Sequence, residues 1–148
     1  MSVFRSLIDL MSAKDLYHPI VVVALQKDGW EITHDPYPLQ AGRLDLAIDL
    51  GAEKILAAQK GTEKIAIEIK SFLGSSKISA FYGALGQFIT YREALLTQES
   101  DRRLFLAVPS DVYNKFMIDP FIQNLIHKNV VPLLVYNIDQ EVISQWQI

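Results

Sequence analysis

The chain has 148 residues, half of them hydrophobic and about a fifth charged, with a net charge of -3 and no cysteine. That size fits one domain with a sizeable core and excludes a disordered chain, and the mild acidity supplies no general attraction to nucleic acid. Without thiols there is no disulfide or thiolate metal centre, so Asp, Glu and three His are the available ligands and any metal is expected to be hard, magnesium or manganese.

No apolar run reaches about 18 residues, and the stretch before Met11 is too short for a signal peptide, so a cytoplasmic protein with no membrane contact is expected. Residues 1–10 read as an N-terminal extension. Residues 11–148 read as a single domain, because no linker, repeat or low-complexity run divides them.

Ser12 followed by Asp15 resembles a capping box, and Leu16, Ile20, Val23 and Ala24 then share one helical face. Pro19 interrupts this face and offers a second start for the helix, so Ser12 and Pro19 both stay open as its beginning. Asp28-Gly29 stops the helix before a strand at Trp30 to His34, which Asp35-Pro36 ends. Leu44 to Leu50 alternates, with Leu44, Leu46, Ile48 and Leu50 on one side and Asp45, Ala47 and Asp49 on the other, which predicts a second strand bearing two carboxylates. Residues 53–60 hold good helix formers. Yet Lys60-Gly61-Thr62-Glu63 reads as a turn, so a hairpin pairing Ile55–Gln59 with the strand that follows is favoured.

That following strand holds the most informative pattern. In Ile65-Ala66-Ile67-Glu68-Ile69-Lys70 the isoleucines line one face, while Ala66, Glu68 and Lys70 share the other. Two opposite charges thus project together from a segment that otherwise looks buried, and buried charge is costly unless paired or bound to metal.

A long helix is predicted from Ile78 to Leu96, with Phe81, Leu85, Phe88, Arg92 and Leu95 along its apolar side and Gln87 and Tyr91, four apart, away from it. Gly83 and Gly86 read as small residues that permit close helix packing. Leu104 to Val108 follows as a strand, then a helical stretch from Ser110 to His127 broken near Asp119-Pro120, and closing strands at Val131–Ile138 and Glu141–Trp146. Strands grouped ahead of a helix, with a further strand after it, predict a mixed α/β sheet flanked by helices.

Phosphodiester cleavage needs a water aimed in line at phosphorus and positive charge on the phosphoryl oxygens, which carboxylate-held magnesium and a nearby lysine supply. Glu68 and Lys70 offer one ligand and the lysine. Asp49 is the best second carboxylate, with Asp45 and Glu53 as substitutes. Taken alone, a Glu-x-Lys on a strand is far more often a solvated edge pair, Tyr91 a core-edge aromatic and Gln87 a surface amide. Glu53-Lys54 reads as a solvated pair, and His18, His34 and His127 show no metal spacing.

Glu68-Ile69-Lys70, the upstream Asp49 and the Gln87 to Tyr91 spacing together resemble the PD-(D/E)XK nuclease superfamily, whose core is a helix, a three-stranded meander, a second helix and a fourth strand. Ile48 stands where that pattern has a proline. The resemblance implies a restriction-endonuclease-like fold and magnesium-dependent DNA hydrolysis. It implies Asp49 and Glu68 as metal ligands, Lys70 as the water-positioning group, and Gln87 with Tyr91 as active-site or DNA-backbone supports.

Five blocks in order are also similar to the XisH family, the fdxN-element excision controlling factors of cyanobacteria. They are Ser12 to His18, Asp28 to Pro36, Asp49 to Lys54, Ala66 to Phe72 and Leu106 to Pro109. This similarity runs from about Met11 to the C-terminus. It implies an accessory role in excising a DNA element during development, beside a separate site-specific recombinase and a small XisI-type protein partner. Three functions follow as expectations: a magnesium-dependent endonuclease acting on DNA, a catalytically idle DNA-binding and assembly factor, or one half of a mutually dependent pair with a small partner, as in a toxin and its antidote. Cutting both strands of a duplex would favour a homodimer.

Overall fold

The computed structural model describes residues 13–46, 55–74 and 76–148. Helix α1 (Ala13–Lys27) runs straight through Pro19, so the second start considered for it is not the one used. Asp28 and Gly29 end it, with Gly29 at φ 90, a left-handed value that glycine adopts without strain. The chain then enters β1 (Glu31–His34).

Six strands form one mixed sheet among the described residues, in the order β1, β4 (Ile55–Lys60), β5 (Glu63–Ile69), β6 (Arg102–Pro109), β7 (Leu133–Asn137) and β8 (Val142–Gln147). β1, β4 and β5 make an antiparallel meander; β5, β6 and β7 are parallel; β8 returns antiparallel. The expected hairpin is present, with Lys60 opposite Glu63 around Gly61.

Of the strand expected from Leu44 to Leu50, only residues 44–46 are described, and these do not join the central sheet. Instead β2 (Gln40–Ala41) and β3 (Leu44–Asp45) close a separate two-stranded ribbon around Gly42, whose φ of 60 suits a tight hairpin turn. Just past the ribbon the N–H of Leu46 donates to the Leu39 carbonyl. Leu44 is exposed whereas Leu46 is buried, so the period-two pattern that placed them on one face does not hold.

The strand alternation of β5 splits the core into two layers. Ile65, Ile67 and Ile69 pack with Tyr17, Val21 and Leu25 of α1 and with Trp30, Phe105 and Tyr136. Ala66 faces the other way, into a layer with Leu104, Leu106 and Val108 of β6 and with Phe81, Phe88 and Tyr91 of α2 (Lys77–Gln98). Burying these aliphatic and aromatic side chains on both faces is what holds the mixed sheet, each contributing about 1.5–3 kcal/mol.

Tyr91 belongs to the buried stripe of α2, with Ala84, Ala94 and Leu95, and not to a separate polar face. Arg92 lies outside it, where its guanidinium donates to the carbonyls of Asn129 and Val130. A Cβ on Gly83 or Gly86 would meet nothing within 4 Å, so these glycines do not serve close packing against any described residue. After β6 come the short helix α3 (Ser110–Val112), a π turn (Tyr113–Met117) and α4 (Pro120–Lys128), which Asp119 caps by accepting the Phe121 N–H.

Candidate active site

Register carries Glu68 to the middle of the sheet, opposite Ile55 of β4 and Leu106 of β6, on the face that α2 covers. It is 1 % exposed. Lys70 stands just past the strand end, its N–H donating to the Ala107 carbonyl, so the extended pairing persists and the two side chains stay on one face. The Lys70 ammonium lies 3.7 Å from Glu68 Oε2 and donates a hydrogen bond to Gln87 Oε1.

Three sequence-predicted residues are therefore brought together: Glu68, Lys70 and Gln87. Tyr91, one helical turn beyond Gln87, is buried in the core layer. Asp45 sits in the β2–β3 ribbon opposite Gln40 and not on the central sheet. Asp49 and Glu53 lie outside the described residues.

A concavity of about 170 Å³ opens beside the cluster, lined by Lys70, Ser71, Leu73, Ala80, Gly83 and Gln87. Glu68 does not line it. Past Lys70 the backbone of Phe72 takes φ 58, a left-handed conformation that costs a non-glycine residue about 1–3 kcal/mol. Burial of the Phe72 ring opposes that strain, and Lys77 Nζ donates to the Phe72 carbonyl at 2.7 Å and to the Gly74 carbonyl at 3.3 Å. Lys77 sits in the first turn of α2, where the helix dipole disfavours a cation. Its placement against the dipole was the one signal that could have marked it as a loop fastener. Ser76 starts the same helix, its Oγ accepting the Ser79 N–H.

At the other end of β5 lies an ion-pair network that no spacing announced. Arg102 is buried and donates to both carboxylate oxygens of Glu99, at 2.8 and 3.1 Å, and to the carbonyl of Ile65 at 3.0 Å. Hydrogen bonds from Arg102 and then from Tyr37 lower the Glu99 carboxyl to about 2. Burial, followed by its bond to Glu99, raises the Tyr37 hydroxyl. Arg102 pairs with Lys64 and Leu106 with Glu68, so the network stands four residues, about 13 Å, from the Glu68 cluster. It ties the sheet together at a distance from the concavity.

No group of three or more His, Asp or Glu side chains gathers among the described residues. His18 bonds Asp35 at 2.7 Å and His34 bonds Thr33. Glu68, a carboxylate of hard oxygens, fits magnesium or manganese, which commonly bind through one or two carboxylates and keep several waters. No helix among the described residues is long and apolar enough to cross a membrane.

A family model described as XisH protein matches residues 11–144. Among solved structures, an XisH family protein from Nostoc punctiforme PCC 73102 shares 46% identity at a TM-score of 0.83, over 90% of this chain and 99% of that one. An fdxN element excision controlling factor protein from Anabaena variabilis shares 47% identity at a TM-score of 0.84, with the same coverage. No curated protein matches.

Proposed function

The chain belongs to the XisH family, and on that premise we propose that it controls excision of a DNA element through a magnesium- or manganese-dependent, nuclease-type pocket. Excision control is the role named for the Anabaena variabilis relative. The observation that carries the pocket is the meeting of Lys70 with buried Glu68 and with Gln87.

Each residue then has a role. Glu68, with Asp49, would hold the metal; when bound, that metal supplies Lewis acidity toward the phosphoryl oxygens and an acidified water. Lys70 orients the attacking water beside the scissile phosphate and adds positive charge there. Gln87 accepts a hydrogen bond from Lys70 and so fixes the direction of the ammonium. Tyr91 supports that part of α2 from within the core. Its partners on this reading are DNA, a separate recombinase and a small XisI-type protein.

A second reading, a catalytically idle assembly factor that works through those proteins, is favoured by the net charge of -3 and by the 1 % exposure of Glu68. Calorimetric manganese titration separates the two. The nuclease reading expects binding heat in the parent, none in Glu68→Gln, and cleavage of supercoiled DNA that both Glu68→Gln and Lys70→Met abolish with unchanged circular dichroism. Cleavage retained in both variants rejects the assigned site. Absent heat and absent cleavage in the parent leave the assembly factor.

A further inference from the structure

We propose that the groove across the Val130–Pro132 ridge, at the opposite end of the β5–β6 pair from Lys70, docks an acidic amphipathic helix of another protein. Two cavities, of about 240 and 180 Å³, share Arg103, Val130 and Pro132 and so adjoin across that ridge. Leu95, Leu104 and Ile126 supply buried walls, while Leu96 and Val130 stand exposed at its edges. Apolar surface collected in a groove in this way marks an interaction site more than scattered exposed residues do.

Val130 adds a second observation. It follows α4 with φ 52, where glycine is the usual residue and a β-branched side chain is strained. The turn is held from several sides: Val130 N–H donates to His127, Val131 N–H to Ile126, and Arg92 to the Asn129 and Val130 carbonyls at 2.9 and 2.6 Å. An isopropyl group is thus kept in solvent, 66% exposed, in a conformation that disfavours it. Strain retained at an exposed apolar side chain points to use.

Charge selects the occupant. Arg92 and Arg103 line the groove, and neither has a carboxylate of the described residues within 4 Å, although the chain as a whole is acidic. Of the other charged side chains that line it, Asp101 pairs with Lys64 at 3.2 Å and Arg102 with Glu99. A basic rim around apolar cavities complements a partner that is apolar with acidic flanks. β6 is paired on both sides, so an extended peptide finds no sheet edge here, and recognition falls to side chains spaced i and i+3 or i+4 on a helix. This inference does not depend on the nuclease reading.

The test is a surface-display library of 16-residue helical peptides selected against the full chain. Selected peptides should combine Leu, Ile or Phe at helical spacing with Asp or Glu, and their affinity should fall at least tenfold for Arg103→Glu and for Val130→Gly. Val130→Gly should melt at a higher temperature than the parent, because glycine accepts the backbone conformation, so its lost binding cannot come from unfolding. Selected peptides without acidic residues, undiminished affinity in either variant, or displacement of the peptides by duplex DNA would overturn the proposal.

Discussion

Acid should unfold this protein partly through one carboxylate. Glu99 is lowered from 4.5 to about 2 by its hydrogen bonds from Arg102 and Tyr37. A group whose folded value lies below its unfolded value contributes stability above the unfolded value, and that stability is lost as pH falls toward the folded one. The window is therefore from about pH 4.5 down to about 2. At about 1.4 kcal/mol per pH unit, the loss between pH 5 and pH 3 has an upper bound of about 2 kcal/mol. The Glu99 side chain is 26% exposed, so screening by water brings the expected figure nearer 1 kcal/mol. Urea unfolding of the parent and of Glu99→Gln at pH 6 and pH 3 measures it. The parent should be the more stable at pH 6, and the gap should narrow by about 1 kcal/mol at pH 3. A gap that stays constant, or widens on acidification, would refute the assignment of this network as the origin of the acid sensitivity.

Other substitutions test local features of the fold. Gly86→Ala should stabilise by about 0.5–1 kcal/mol, since the added methyl meets nothing within 4 Å in a helix interior; a lower denaturation midpoint would restore the packing role that the sequence suggests. Ser76→Ala should lose about 1 kcal/mol by chemical denaturation as the Ser79 N–H loses its cap. Phe88→Ala should lose about 3–5 kcal/mol, because the ring is fully buried between α2 and the sheet. Glu141→Gly, at φ 54 in the turn between β7 and β8, should raise the melting temperature, and a fall would show that the Glu141 side chain contributes more than the strain removes.

Local periodicity was enough wherever one segment's own pattern decided its structure. The alternation at Ile65 to Lys70 placed Glu68 and Lys70 on a common face, the Lys60-Gly61 turn set the hairpin register, and a 3.6-residue period outlined α2. The same reasoning did not hold from Leu44 to Leu46, the part of that segment that is described. There the alternation of Leu and Asp is a pattern a strand could use, but the Gly42 turn claims Leu44 and Asp45 for a ribbon, and Leu46 turns inward instead. It also misjudged Tyr91, because a tyrosine beside Arg92 reads as amphipathic, and which of the two faces the sheet depends on a few tens of degrees of helix rotation.

The sequence by itself determined the element order from Ile55 onward, the two-faced central strand and the pairing of a carboxylate with a lysine, since each follows from covalent spacing and side-chain direction within a few residues. Only the tertiary structure decided that Gln87 meets Lys70, that Arg102 reaches Glu99 and the Ile65 carbonyl, and that Val130 stands over a basic-rimmed groove. Those contacts join elements that pack by burying apolar surface, a force without direction along the chain, so no local pattern records where they fall.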